Sequence, residues 1–305
     1  MKSLKNWLLV LSVLSCFGCS SPVHEDGRGC AFVSDSIQYR VEFMSEGCVR
    51  ILSFPEGDTL VTKRLVVDSQ KPAFKDYKWK DTGQQLIFST RELSVAFDKE
   101  DAAFTFQEVS TGKLLLKEKE AKKARCFKRS VTGGEQCLEV TQRFVPTDDE
   151  AIYGLGQYQN GIMNYRGKSV LLLQANMDIV NPFLISTNGY GILWDNYSST
   201  KFEDTKEGYS FTSEVGDASD YYFVYGKNMD EVVAGYRELT GDVPMFGKWV
   251  YGFWQSKERY KSFDELKAVA KEYRKRGIPL DNIVQDPSLI HISEPTRHSL
   301  ISYAV

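Results

Sequence analysis

Ile37-Gln38-Tyr39-Arg40-Val41-Glu42-Phe43 sets Ile37, Tyr39, Val41 and Phe43 on one side of an extended chain and Gln38, Arg40 and Glu42 on the other. That period of two predicts a strand with one face in a core and one in water. Short runs of the same kind recur at residues 49–54, 60–67, 85–89, 93–97, 104–109, 114–116 and 138–144. Turn formers separate them, Pro55-Glu56-Gly57-Asp58 and Thr111-Gly112 among them. Many short strands at this spacing predict a mostly β fold, an antiparallel β-sandwich. The charged run from Lys117 to Lys123 reads as a solvated edge or loop. Residues 151–226 continue the β pattern with more glycine and more aromatics, so one sandwich is expected over residues 31–245.

The composition narrows the chemistry. The 305 residues carry 38 basic and 41 acidic side chains, a net charge of −3, which gives no electrostatic reason to expect nucleic acid as a partner. With 42% apolar and 13% aromatic residues the chain has ample material for a core. There are only three histidines, His24, His291 and His298, all near the ends. A Ser-His-Asp triad, a Cys-His pair or a histidine-ligated zinc site needs an internal histidine, so acid–base chemistry here falls to carboxylates. Gly154-Leu155-Gly156 invites a dinucleotide reading, but Gln159 stands where the third glycine belongs. Gly167-Lys168-Ser169 lacks the upstream glycine of a phosphate loop and leads into a strand. No metal or cofactor is implied.

The pattern changes after Tyr225. Residues 230–239 read as a short helix stopped by Gly241, and Trp249-Val250-Tyr251-Gly252-Phe253-Trp254 as a strand. Ser262-Phe263-Asp264-Glu265 is a capping box, after which Phe263, Leu266, Val269, Ala270 and Tyr273 form one helical face. Gly277-Ile278-Pro279 ends that helix, and a strand over 280–285 delivers Asp286 at its C-terminal end. This β-α-β unit, residues 246–286, looks like the start of a (β/α)8 barrel, whose strand ends are where barrel enzymes place their chemistry. Asp286 is therefore a candidate site residue, or else a helix cap on the loop.

The ends carry their own signals. Lys2 and Lys5 followed by an apolar stretch from Trp7 to Leu14, too short to span a bilayer, read as a signal peptide over residues 1–18. Gly18-Cys19 resembles a lipoprotein cleavage point, with Cys19 as the lipidated residue and 19–30 as a tether, although Phe17 departs from the usual small residue; an ordinary secretory signal is the alternative. Either reading predicts an exported protein, and a lipidated one a bacterial periplasmic or outer-membrane-surface lipoprotein, held to the membrane by that anchor only. Export permits disulfides, so Cys30 with Cys48 and Cys126 with Cys137 are the simplest pairing, the second across a hairpin turn at Thr132-Gly133-Gly134-Glu135; free buried thiols are the other reading. Residues 287–305, with Ser288-Leu289-Ile290-His291-Ile292-Ser293-Glu294-Pro295-Thr296-Arg297 near their head, look like a translated sequencing adaptor with no part in the fold.

Six segments in order then carry a family resemblance. They are Tyr153-Gly154-Leu155-Gly156; Pro182-Phe183-Leu184-Ile185-Ser186 with Gly189-Tyr190-Gly191-Ile192-Leu193-Trp194-Asp195-Asn196; Tyr236-Arg237-Glu238-Leu239-Thr240-Gly241; Lys248-Trp249; Gly252-Phe253-Trp254-Gln255-Ser256-Lys257; and Ile278-Pro279-Leu280-Asp281. Together they resemble glycoside hydrolase family 31, from about residue 31 to Asp286. The resemblance implies a galactose-mutarotase-like sandwich before a (β/α)8 barrel and retaining cleavage of α-glycosides by two carboxylates. The segment from Gln157 to Gly167 is similar to exported α-xylosidases acting on xyloglucan-type oligosaccharides, with α-glucosidase the nearest alternative.

By the same resemblance Asp178 is the sandwich-loop aspartate that reaches toward substrate, Tyr260 an aromatic of the sugar pocket, and Asp286 an aspartate that binds the non-reducing sugar. The family's nucleophile and acid come from later barrel strands, so this chain is expected to be an inactive N-terminal fragment. Asp178 as a turn residue and Tyr260 as a surface aromatic are the structural alternatives. Two other functions compete: a carbohydrate-binding sandwich without catalysis, and a mutarotase-like epimerase, which the lack of histidine in the sandwich disfavours.

Overall fold

A computed structural model describes residues 23–58, 65–68, 73–120 and 122–285. Cys19, Asp286 and the stretches 1–22 and 287–305 lie outside the described residues, as do residues 60–64 of the run expected at 60–67. The chain divides into two compact units, one ending at Asp242 and one beginning at Val243.

Among the described residues the first unit is two antiparallel sheets. One has eight strands in the spatial order His24–Glu25, Cys30–Ser34, Ile37–Phe43, Cys48–Pro55, Ser219–Tyr225, Tyr190–Trp194, Ile179–Ser186 and Ile152–Gln157. The other has ten, running from Ser169–Leu172 through Thr200–Thr205, Gly208–Gly216, Glu135–Val145, Leu114–Glu118, Ala103–Glu108, Leu93–Asp98 and Gln85–Ser89 to Lys78–Asp81, with Arg125–Thr132 paired to Glu135–Val145. The alternation read in the sequence is what closes the sandwich. Tyr39, Val41 and Phe43 are buried, and in the facing sheet so are Leu93, Val95 and Phe97; Arg40, Ser94 and Ala96 between them are half-buried, whereas Glu42 is buried as well. Phe106 of one sheet stacks on Phe223 of the other with centroids 4.2 Å apart and planes 8° from parallel. Each such ring contributes about 1.5–3 kcal/mol by leaving water, and each pair about 0.5–1.5 kcal/mol more.

Two expected solvent-facing charges are buried instead. Glu42 is 4% exposed because Arg50, itself 2% exposed, donates to it at 2.9 Å from the neighbouring strand. In the run expected as a solvated loop, Glu118 turns inward between the sheets and pairs with Arg125. A carboxylate tolerates that position only when its oxygens are satisfied, and Glu118 also accepts from Phe104 N at 2.8 Å, Gln142 Nε2 at 2.8 Å and Tyr221 Oη at 2.9 Å.

The disulfide pairing is not formed: Cys30, Cys48, Cys126 and Cys137 are free thiols. The hairpin turn is as expected, with Thr132 opposite Glu135 and Gly133 and Gly134 at φ 63° and 87°. Its register, however, sets Cys126 opposite Thr141 and Cys137 opposite Ser130, so the two sulfurs are several rungs apart. Cys30 faces Val41 and Cys48 faces Val224 on their respective ladders.

Helix α1, Met229–Thr240, is capped by Asn228, which accepts from Glu231 N at 2.9 Å, and ends at Gly241. Val232 and Leu239 are buried with Phe183, Tyr222 and Val224, covering the outer face of the eight-stranded sheet. Val67 joins that cluster from a bend at residues 65–67, not from the strand expected there.

In the second unit the expected strand at 249–254 is mostly a 3-10 turn, Lys248–Tyr251. Gly247 and Gly252 bracket it, and at Gly252 a Cβ would stand 2.1 Å from the Asp281 carboxylate, which accepts from Phe253 N at 3.0 Å. Only Trp254–Gln255 pairs, parallel to Asn282–Ile283, a narrower strand than the one expected at 280–285. Helix α2, Phe263–Lys275, lies between them in sequence, so the β-α-β order holds. Its cap is the expected one, Ser262 accepting from Glu265 N at 3.1 Å. None of its residues is buried, and Phe253 and Trp254 are 46% and 47% exposed.

Candidate functional site

Strand Ile152–Gln157 departs from regular pairing at the segment that carried the first resemblance. Gly154, Leu155 and Gly156 have φ of 97°, 65° and 122°, and the register against Ile179–Ser186 shifts between Gly154 and Gly156. This is a bulge that lets two backbones touch: a Cβ at Gly156 would lie 2.1 Å from Ile179 O and one at Gly154 2.5 Å from Phe183 O. The strand so gripped begins one residue after Asp178.

Asp178 closes a tight turn, its N donating to Ala175 O at 3.3 Å, with Met177 at φ 69°. Gln174 staples the turn to the strand. Its Nε2 donates to Asp178 O at 2.7 Å and its Oε1 accepts from Val180 N at 3.1 Å. The Asp178 carboxylate accepts no hydrogen bond from the described residues and is half-buried. Burial, with the Tyr165 hydroxyl and the Asp178 carboxylate adding to it, pushes the Tyr158 phenol up to about 12, so Tyr158 stays a neutral donor. Met177 and Ile179, flanking Asp178 in the chain, are 66% and 56% exposed. The arrangement is a rigidly held, unpartnered acceptor beside apolar surface, which suits vicinal hydroxyls and the C–H face of a sugar. Sequence reasoning found Asp178 but missed Gln174 and Tyr158; a glutamine four residues before the aspartate was the only local signal.

In the second unit Tyr260 sits on the loop between strand Trp254–Gln255 and α2. It is 4% exposed, not a surface aromatic, and its hydroxyl has no partner among the described residues. Glu265 organises the loop, accepting from Lys257 Nζ at 2.9 Å and Lys261 N at 2.7 Å; Lys257 Nζ in turn lies 5.6 Å from the Tyr260 ring centroid. Gln285 Nε2 donates to Tyr260 O at 3.3 Å, tying this loop to the residue before Asp286. A buried phenol with an idle hydroxyl is a group awaiting a partner. No three His, Cys, Asp or Glu side chains among the described residues gather as metal ligands.

Residues 38–203 match the glycosyl hydrolase 31 N-terminal galactose mutarotase-like domain, and residues 243–298 the glycosyl hydrolases family 31 TIM-barrel domain. The chain is 38% identical over 266 residues to an alpha-xylosidase of Saccharolobus solfataricus, covering 82% of this chain and 35% of that protein. It is 28% identical to alpha-glucosidase 2 of Bacillus thermoamyloliquefaciens, covering 84% and 33%. The chain thus spans about a third of the length of these curated relatives. Among solved structures, a family 31 α-xylosidase from a soil metagenome complexed with xylose superposes with TM-score 0.74 at 26% identity, over 87% of this chain and 41% of that one. The α-xylosidase of Xanthomonas citri does so with TM-score 0.74 at 25% identity, over 86% and 45%.

Proposed function

The chain belongs to glycoside hydrolase family 31, and on that premise we propose that it is the N-terminal part of an exported retaining α-glycosidase whose substrate is an α-xyloside of the xyloglucan type. The observation that carries the reading is the Asp178 turn, a carboxylate with no partner among the described residues, held by Gln174 and by the glycine bulge. The likeness to the Saccharolobus alpha-xylosidase supports the choice of sugar, and the alpha-glucosidase relative supplies the alternative.

In this account Asp178, Tyr260 and Asp286 bind sugar and none of them is nucleophile or acid. Hydrolysis with retention needs two carboxyl groups about 5–5.5 Å apart, supplied by later strands of the barrel. Carboxylates on the sugar hydroxyls act by tightening as the ring flattens toward an oxocarbenium-like transition state. We also propose the lipid-bearing Cys19 anchor and the adaptor origin of residues 287–305. Cys19→Ala should abolish lipid labelling, and genomic DNA read past codon 286 should restore an open frame.

The test of substrate class is the protein translated from that genomic frame, assayed on aryl α-xyloside and aryl α-glucoside. A higher kcat/KM on the xyloside is expected, a higher value on the glucoside selects the alternative, and turnover of neither removes the glycosidase reading.

A further inference from the structure

The chain enters the sandwich at one end, where a short strand is tied to both sheets. His24–Glu25 is the edge of the eight-stranded sheet and pairs with Cys30–Ser34, while Lys78–Asp81 is the edge of the ten-stranded one. Glu25 joins the two edges: its Oε1 accepts from Tyr77 Oη at 2.9 Å and its Oε2 from Trp79 Nε1 at 3.3 Å. Tyr77 is seated in turn on the Phe43 ring, with centroids 5.4 Å apart. A second tie holds the turn that follows, where Asp26 accepts from Arg40 Nη2 at 2.6 Å and from Gly29 N at 3.1 Å. Val23 packs against the core, so the place of entry is fixed.

The site around Asp178 is at the other end. Ile152–Gln157, which carries the glycine bulge, is the opposite edge of the eight-stranded sheet, and Ser169–Leu172 the opposite edge of the ten-stranded one. The Asp178 turn lies on the chain between Ser169–Leu172 and Ile179–Ser186. Strands lie about 4.8 Å apart, so the eight-stranded sheet is roughly 34 Å wide from the entry edge to the bulge edge. Four residues lead from Cys19 to Val23, and they reach at most about 14 Å. A lipid on Cys19 therefore holds the Glu25 end close to the bilayer, and the width of the sheet exceeds that reach. The composition of this edge suits headgroups. Trp79, an amphipathic ring that is 36% exposed, stands between the exposed Lys78 and Lys80. Trp79 lies opposite the buried Phe88, so the two lysines, opposite Ser89 and Ile87, point from the other face of the strand. Asp81 on the same strand is taken up by Lys99 at 2.8 Å. We propose that the edge formed by His24–Glu25 and Lys78–Asp81 is the membrane-facing surface of the anchored protein, in contact with phosphate-bearing lipid headgroups, and that the Glu25 clasp thereby presents the Asp178 end to the aqueous side. The inference rests on the Cys19 anchor proposed above.

The experiment is lysine acetylation read by mass spectrometry. The full chain, processed in bacterial cells, is reconstituted into vesicles of phosphatidylethanolamine and phosphatidylglycerol, and the same chain begun at Ser20, which carries no lipid, is mixed with identical vesicles as the reference. Anchoring should slow acetylation of Lys78 and Lys80 about fivefold, the effect of holding a lysine at an anionic surface. Lys168 and Lys201, at the opposite edge, should react equally in both samples. Glu25→Ala should still be lipidated but should lose most of the protection at Lys78 and Lys80. Unprotected Lys78 and Lys80 in a chain whose mass shows the lipid overturn the proposal and leave the anchor standing. Protection of Lys168 and Lys201 instead overturns it by placing the other edge on the membrane, and full protection in Glu25→Ala overturns the clasp as its cause. A mature chain with no lipid on Cys19 overturns the anchor and this inference together.

Discussion

Glu118 and Arg125 form an ion pair sealed between the two sheets, with side chains 0% and 6% exposed. Gln142, Tyr221 and the Phe104 amide satisfy the remaining acceptor positions of the carboxylate, and Gln142 is itself held by Ser219 Oγ at 2.8 Å. The pair therefore joins strand Leu114–Glu118 to Arg125–Thr132, Ala103–Glu108 and Ser219–Tyr225, which come from both sheets. Such a network contributes less to stability than to fixing one arrangement, because desolvating two charges offsets most of their attraction.

Removing one partner is a different matter. Arg125→Met leaves the Glu118 charge buried and uncompensated, and should lower the unfolding free energy by about 3–5 kcal/mol in a urea titration. Adding Glu118→Gln in that background removes the charge while keeping the acceptor oxygen, and should recover part of the loss. A single-variant loss below about 1 kcal/mol would show that the pair is not sealed.

Asp195 gives the fold a pH dependence. Burial first, and the neighbouring Asp220 carboxylate second, raise its pKa from 3.8 to about 6, and its Oδ1 is buried with no partner among the described residues. Below pH 3.8 the group is protonated in both folded and unfolded chains. Between 3.8 and 6 the unfolded chain ionises first, so this residue's contribution falls as pH rises and levels off above 6. The whole effect is up to about 3 kcal/mol. Asp195→Asn should therefore raise the melting temperature at pH 7 and change it little at pH 3.5; equal shifts at both pH values would refute the assignment.

The glycine bulge is a backbone requirement. Gly156→Ala puts a methyl 2.1 Å from Ile179 O at a φ of 122°, so strand Ile152–Gln157 must move away from the strand that follows Asp178. A destabilisation of at least about 2 kcal/mol is expected in thermal or urea unfolding. Gly27→Ala, where a Cβ meets nothing within 4 Å, serves as the comparison and should be near neutral.

What could be read in advance followed from local physics. The run at 37–43 declared its buried face because alternate residues of a strand point to opposite sides, and Gly133-Gly134 declared its turn because both positions need positive φ. Ser262 and Glu265 declared the start of α2 for the same local reason. Glu118 was illegible: within a run of lysines and glutamates nothing local says which one a distant arginine will draw inward. The cysteine pairing failed because two thiols flanking a turn need matching register, which depends on every residue between them. Trp249-Val250-Tyr251 has strand-forming side chains, but Gly247 and Gly252 close it into a turn around Asp281. At the site, Asp178 was visible only through the family resemblance, and Gln174 only as a glutamine four residues before it, since its role is a pair of backbone hydrogen bonds that exist only once the turn has formed.

The central claim is that Asp178 is a substrate-binding carboxylate of an α-glycosidase. The direct measurement is kcat/KM on aryl α-xyloside for the protein translated from the continuous genomic frame, with Asp178→Ala against the parent. A charged hydrogen bond to a sugar hydroxyl contributes about 1.5–3 kcal/mol, so a fall of roughly ten- to a hundred-fold or more is predicted, with little change in melting temperature because the carboxylate has no partner to lose among the described residues. An undiminished kcat/KM in a folded Asp178→Ala protein would contradict it.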